Sequence, residues 1–287
     1  MIPRKIHYCW FGENPIPEKD IRNIESWKRF CPDYEIIKWD ESNYNINKIK
    51  FIKEAYDCKK YAFVSDYARL DIIYNNGGIY LDTDVEIIKS IDFLLNNSAF
   101  CGREKNGKIG LGLIFGSEPK LPIIKELMDY YNDKSFFDDS GNINLTPIGA
   151  YTHAVLEPKG LSKLNILQVI EELKIYPSTF FDPYDFYTGK PESKRALKNA
   201  YCIHHYNATW LEKDRHDYLE SCRYIANRYG NFLYKTGFAQ KFEDLIKSKN
   251  QVKKEKGSFF SFFWLLKSFF LLLLKNDKKN NNDGCEK

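Results

Sequence analysis

No two of the seven cysteines, at positions 9, 31, 58, 101, 202, 222 and 285, form a Cys-x-x-Cys pair, and their number is odd. That spacing argues against a zinc ribbon or a disulfide scaffold and fits reduced thiols. No long basic stripe runs through residues 1–240 and the net charge is only +4, so nucleic acid is not an expected partner. No secretory signal opens the chain, because Met1-Ile2-Pro3-Arg4-Lys5 leads at once into alternating, partly polar sequence; a cytoplasmic location is expected. A Gly-x-x-x-x-Gly-Lys phosphate loop is missing, as is any internal repeat. The longest apolar stretch, residues 259–274, is interrupted by Lys267 and Ser268 and falls short of the roughly 20 apolar residues of a membrane span.

What remains is an ordinary globular composition, 43% hydrophobic and 29% charged, long enough for one substantial core. It is rich in aromatics, with 21 Phe, 20 Tyr and 5 Trp. Rings fill cores, and their faces also suit sugars and nucleobases.

Patterning predicts short strands alternating with helices, hence an α/β fold. Strands are expected at residues 5–10, 34–39, 79–81, 85–88 and 110–115, an edge strand at 174–177, and a last strand at 201–205. Helices are expected over 18–30, with Ile21, Ile24 and Trp27 as its apolar stripe, and over 52–75, with a break near Lys59-Lys60. Further helical pattern covers 121–131, a segment opening at 146–151 behind Pro147, and 215–242.

The chemistry centres on Asp82-Thr83-Asp84, directly after an apolar run and the Gly77-Gly78 turn. Hard divalent cations prefer oxygen ligands, and two carboxylates one residue apart at a strand end can cradle Mn²⁺ or Mg²⁺ with a diphosphate. Alone the pattern is weak, since paired surface acids are common; the strand end is the informative context, because α/β folds place ligands there. Asp66 and Arg69 lie three apart on the preceding helix and share a face, as a surface ion pair or as site residues.

Four blocks together resemble the glycosyltransferases whose sugar-binding region contains the DXD motif: residues 6–12, 65–69, 76–84 and 204–210. That group (glycosyltransferase family 32) includes yeast initiating mannosyltransferases and bacterial capsular polysaccharide and lipopolysaccharide enzymes, with the glucosylating clostridial toxins as distant kin. The resemblance implies a GT-A fold, a Rossmann-like central mixed sheet flanked by helices, here with a C-terminal helical extension. It further implies a nucleotide-sugar donor, a divalent metal and retention of anomeric configuration. Asp84 would ligate the metal, and Asp82 would contact ribose and donor sugar, with a second or water-mediated metal contact. Asp66 would meet sugar hydroxyls and Arg69 the sugar or phosphate. Tyr80 would reach a phosphate, and Trp10 would stack on the base or serve the core. His205 would complete the metal shell with His204 as the alternative, because a one-residue slip reverses their faces. Thr209 and Trp210 would meet the β-phosphate. Gly110 and Gly112 would let backbone approach the sugar, and residues 146–151 would line the acceptor side.

These expectations describe a metal-dependent hexosyltransferase acting from a UDP-linked donor on a saccharide or lipid-linked acceptor in surface polysaccharide synthesis. No carboxylate in the motifs is an obvious nucleophile, which favours front-face return over double displacement. A metal-dependent phosphotransferase, a toxin-like protein glycosyltransferase and a noncatalytic glycan- or nucleotide-binding module are the rivals. The catalytic domain is expected over residues 1–245. Residues 246–275, lysine-rich and then apolar, would lie in the interface of the inner membrane face or pack on the core or a second subunit, and residues 276–287 would be disordered.

Overall fold

The computed structural model describes residues 1–191, 193–208, 211 and 213–229. The chain divides into two compact units, Met1–Trp210 and Leu211–Lys287. In the second unit the described part is Leu211 and one helix, Lys213–Tyr229. Thr209, Trp210 and the expectations for residues 230–287 lie outside the described residues.

The first unit is built on a seven-stranded mixed sheet in the order β2-β1-β3-β6-β5-β8-β7. Its strands are β1 (Lys5–Cys9), β2 (Glu35–Trp39), β3 (Gly78–Tyr80), β5 (Ala99–Arg103), β6 (Ile109–Ser117), β7 (Gln168–Ile170) and β8 (Leu173–Tyr176). A separate two-stranded ribbon pairs β4 (Val85–Ile87) antiparallel with β9 (Cys202–His204). The helices are α1 (Glu18–Phe30), α2 (Lys50–Asp57), α3 (Tyr61–Asn76), α4 (Pro122–Asp129), α5 (Ile148–Leu156) and α6 (Lys194–Asn199).

The sheet separates two apolar layers. Tyr80 joins the layer under α2 to α5, with Val64, Ala68, Ile124 and Phe136, while Ile79 and Leu81 join the opposite layer with Ile24, Trp27 and Leu94. Successive strand residues thus point to opposite faces, and both faces are covered. This is the Rossmann-like mixed sheet flanked by helices expected of a GT-A fold.

The α2–α3 break falls at 58–60, with Lys59 in the left-handed region (φ 56°). Gly77 and Gly78 turn the chain from α3 into β3 at φ 63° and 100°, and a Cβ on Gly78 would sit 2.8 Å from His7 Nε2. That close approach is why the turn needs glycine. Two expectations are corrected. The strand at 173–176 is not an edge: it pairs with β5 on one side and β7 on the other, leaving β7 at the edge. Of the stripe on α1 only Ile21 is exposed: Ile24 and Trp27 are buried in the core as expected, and the same inward face adds Asp20, Asn23 and Ser26, which bond the acidic turn and β4.

Candidate active site

β1 and β3 run parallel, so their C-terminal ends share one rim. Asp82 leaves β3 there, its N–H donating to the Gly112 carbonyl at 2.8 Å. A Cβ on Gly112 would stand 1.9 Å from Asp82 Oδ2 and 2.9 Å from Arg69 Nη1, so only a bare α-carbon leaves room for both.

Arg69 comes from α3 and is almost fully buried. Its Nη2 lies 3.2 Å from Asp66 Oδ1 and 3.2 Å from Asp82 Oδ1, and its Nε donates to the Ser65 carbonyl at 3.1 Å. The Tyr80 hydroxyl donates to Asp82 Oδ1 at 3.0 Å, with the guanidinium 4.9 Å from the Tyr80 ring centre. Burial opposes the charge on Arg69, yet Asp82, Tyr80 and Asp66 hold its pKa above the ordinary value. Burial pushes the Asp66 carboxyl up to about 6, with Arg69 opposing and Asp82 adding to the rise. The pair is therefore no solvated surface bridge. The Cys9 thiol, raised to about 12 by burial, completes this pocket beside Arg69 and Tyr80.

Asp84 faces the ribbon. His204 Nε2 lies 3.3 Å from Asp84 Oδ1, the Asn207 N–H donates to Asp84 Oδ2 at 2.8 Å, and the His205 N–H donates to the Asp84 carbonyl at 2.9 Å. Burial opposes both charges, but their mutual attraction wins: Asp84 is held low and His204 high. His204 Nδ1 is buried without a hydrogen-bond partner among the described residues. His205 is set elsewhere, half-exposed, with Nε2 3.0 Å from Glu86 Oε2 and its ring 6.0 Å from that of Tyr184. The strand register decides this, since Val85 pairs with His204 and one residue further reverses the face.

Trp10 follows β1 on the same rim, half-buried, its indole N–H donating to the Asn14 carbonyl at 2.6 Å.

Several further residues, to which sequence reasoning assigns no role, belong to this site. Asp20 accepts from Thr83 Oγ1 at 3.1 Å and from Asn207 Nδ2 at 2.8 Å, and Asn23 Nδ2 donates to the Thr83 carbonyl at 2.9 Å. Together they tie the acidic turn to the segment after β9. Tyr206 and Ala208 flank Asn207 with φ of 52° and 51°, a strained pair that aims the Asn207 N–H at Asp84. The Tyr206 hydroxyl donates to Asp182, and its ring lies 4.0 Å from that of His204. A signal was present for Asn207, inside the last resembling block; Asp20 and Asp182 lie far away in sequence.

Among the described residues no three His, Cys, Asp or Glu side chains converge as a metal-holding cluster. Asp84 nevertheless offers an oxygen, and His204 a nitrogen once a cation displaces its proton, enough for a cation whose other ligands are diphosphate and water oxygens.

Residues 17–101 match the family model for the glycosyltransferase sugar-binding region containing DXD motif. Over this span, from α1 through the acidic turn into β5, the chain is similar to a DXD-type glycosyltransferase region and to fungal, viral and bacterial proteins. Inositol phosphoceramide mannosyltransferase 1 of Schizosaccharomyces pombe is 34% identical over 110 residues, 34% of this chain and 33% of that protein. The uncharacterized glycosyltransferase L373 of Acanthamoeba polyphaga mimivirus is 26% identical over 246 residues, 81% of this chain and 92% of that protein. Matched segments span about a third of the first fungal relatives, 33% and 37% of their lengths. A solved glycosyltransferase involved in glycosylation of the major capsid of PBCV-1 aligns with a TM-score of 0.43 at 14% identity, covering 75% of this chain and 98% of that one.

Proposed function

We propose that the protein moves a hexose from a nucleotide sugar, favouring UDP-linked donors, to a saccharide or lipid-linked glycan acceptor, with retention of configuration. The observation that carries this reading is Arg69 held between Asp66 and Asp82 at the end of β3, with Asp84 against His204 two residues on.

In this reading Arg69 turns its fork to the diphosphate or sugar, a geometry suited to paired oxygens. Asp82 takes the ribose and sugar hydroxyls, Asp66 a further sugar hydroxyl, and Trp10 the base. Thr209 and Trp210 are assigned to the β-phosphate. Asp84 and His204 would hold Mn²⁺ or Mg²⁺, His204 taking the role in place of His205, which is engaged with Glu86. A bound divalent cation supplies charge neutralisation for the departing diphosphate. Asp66 and Asp82 are both committed to Arg69, which argues against either as a free nucleophile and supports front-face return. Surface polysaccharide assembly at the inner face of the cytoplasmic membrane, with residues 246–275 as the lipid contact, is the setting we assign to it.

Turnover of UDP-glucose, UDP-galactose, UDP-N-acetylhexosamine and GDP-mannose with Mn²⁺ tests the proposal. Asp84→Asn is expected to abolish turnover; activity unchanged in EDTA overturns the cation, and a trapped glycosyl adduct on Asp or Glu overturns front-face return.

A further inference from the structure

β3, β5 and β8 run in the same direction, since β3 and β5 are each antiparallel to β6 and β8 is parallel to β5. Their C-terminal ends therefore share the rim that carries Asp82, and β7 begins on it. The loop entering β7 exposes Leu164 (64%), Ile166 (48%) and Leu167 (52%), followed by Val169 (59%) on the edge strand.

Side-chain hydrogen bonds anchor this loop. Asn165 donates to Ser178 Oγ at 2.7 Å and accepts from the Ser178 N–H at 2.8 Å. Gln168 accepts from the Ser162 N–H at 2.9 Å and donates to the Gly160 carbonyl at 2.7 Å. The fully buried Arg103 guanidinium donates to the Ser162 carbonyl at 2.7 Å and to the Gly107 carbonyl at 2.9 Å, binding this loop to the hairpin at 104–108. That hairpin is joined to the site, where the Lys105 N–H donates to Asp182 at 2.9 Å beside Tyr206. Polar anchors point inward and apolar side chains outward, the reverse of what solvent alone selects. Lys108 and Lys163, one on each loop, are exposed and carry no ion pair among the described residues. The nearby Glu104 is occupied with the Asn106 amide.

We infer that the loops at 104–108 and 161–169 dock the catalytic rim onto an anionic lipid surface, Leu164, Ile166 and Leu167 entering the headgroup boundary and Lys108 and Lys163 meeting lipid phosphates. Apolar tips flanked by unpaired cations match that boundary, where burial and electrostatic attraction add. A second protein surface would have to answer the lysines with carboxylates. The link to transfer rests on the proposed glycosyl transfer: docking would present the site to acceptors embedded in the bilayer.

Hydrogen exchange of the full chain with phosphatidylcholine vesicles, with and without phosphatidylserine, reads this directly. Protection at 104–108 and 161–170 with the anionic vesicles alone is expected. The triple variant Leu164→Asn, Ile166→Asn, Leu167→Asn should lose that protection, with vesicle affinity down about tenfold or more. Its metal-dependent nucleotide-sugar hydrolysis should remain while transfer to a vesicle-borne acceptor falls. A chain that does not bind, or binds through another segment with both loops unprotected, overturns the inference. So does protection without vesicles that grows with protein concentration, which would assign the face to a second copy. Hydrolysis missing from the parent chain would instead sink the glycosyl-transfer reading and leave the docking result standing.

Discussion

Gly112 shows how little room surrounds the acidic turn, and His7 how little surrounds the Gly77-Gly78 turn. A methyl group at Gly112 would meet Asp82 Oδ2 at 1.9 Å, which forces the carboxylate off Arg69. Gly112→Ala is expected to lower kcat/KM about 100-fold while circular dichroism stays unchanged, because displacements near 1 Å cost that much in positioned chemistry. His7 lies fully buried, accepting from the Trp39 indole N–H at Nδ1 (3.0 Å) and donating from Nε2 to the Gly77 carbonyl (3.0 Å). It is thus a neutral strut under the turn, and burial lowers its pKa from 6.5 to about 4. The unfolded chain binds this proton near 6.5, the native state only near 4. The stability due to neutral His7 is therefore complete above 6.5 and lost as pH falls toward 4, a change of about 3 kcal/mol. His7→Gln can keep both hydrogen bonds without titrating. Denaturant melts between pH 7.5 and 4 should show a flatter acid limb for the variant; equal limbs would mean that His7 takes up its proton equally in the native and unfolded states.

At the scale of elements, α1 acts as a clamp rather than a simple core helix. Asp20, Asn23, Ser26 and Trp27 recur at helical spacing, and each bonds backbone or side chain of the acidic turn or β4, including Trp27 Nε1 to the Val85 carbonyl at 2.7 Å. Asp20→Ala removes the acceptor shared by Thr83 and Asn207. The expected result is a donor KM raised about tenfold, with a stability loss of about 1–3 kcal/mol from the donors left unpaired. Thr83→Val, which deletes one of the two bonds, should fall between. α1 also marks the limit of what local sequence conveys. Its span, the α2–α3 break and the glycine turn were legible because caps, periodicity and positive-φ glycines act over a few residues. The inward polar stripe was not, because its partners lie 58 to 187 positions away. The same holds for β5 and β7, short strands whose pairing is settled only across the sheet. At the site, Asp66, Arg69 and Asp82 converge as their motif suggested, whereas the neighbour of Asp84 depended on strand register, which the His204-His205 pair leaves ambiguous until β9 meets β4.

At the scale of the whole molecule, the thiols offer a readout for binding at the rim. Cys9, Cys31, Cys101 and Cys202 are buried in β1, at the end of α1, in β5 and in β9, while Cys58 and Cys222 are half-exposed. Burial pushes the Cys9 and Cys101 thiols up to about 12 and Cys31 up to about 11, so neither access nor thiolate supports reaction in the native state. Among the described residues, alkylation followed by mass spectrometry should therefore label Cys58 and Cys222 first and the four buried thiols only through opening of the fold. A ligand that binds the native state alone at 100 times its Kd adds about 2.7 kcal/mol to stability, equivalent to about 100-fold slower labelling through global opening. With donor and Mn²⁺ together, this slowing should extend to Cys101 on β5 as well as Cys9 beside Arg69. Slowing confined to Cys9 would mean that the donor merely covers the rim pocket, and equal rates at every buried thiol with and without donor would mean that it does not bind the folded chain.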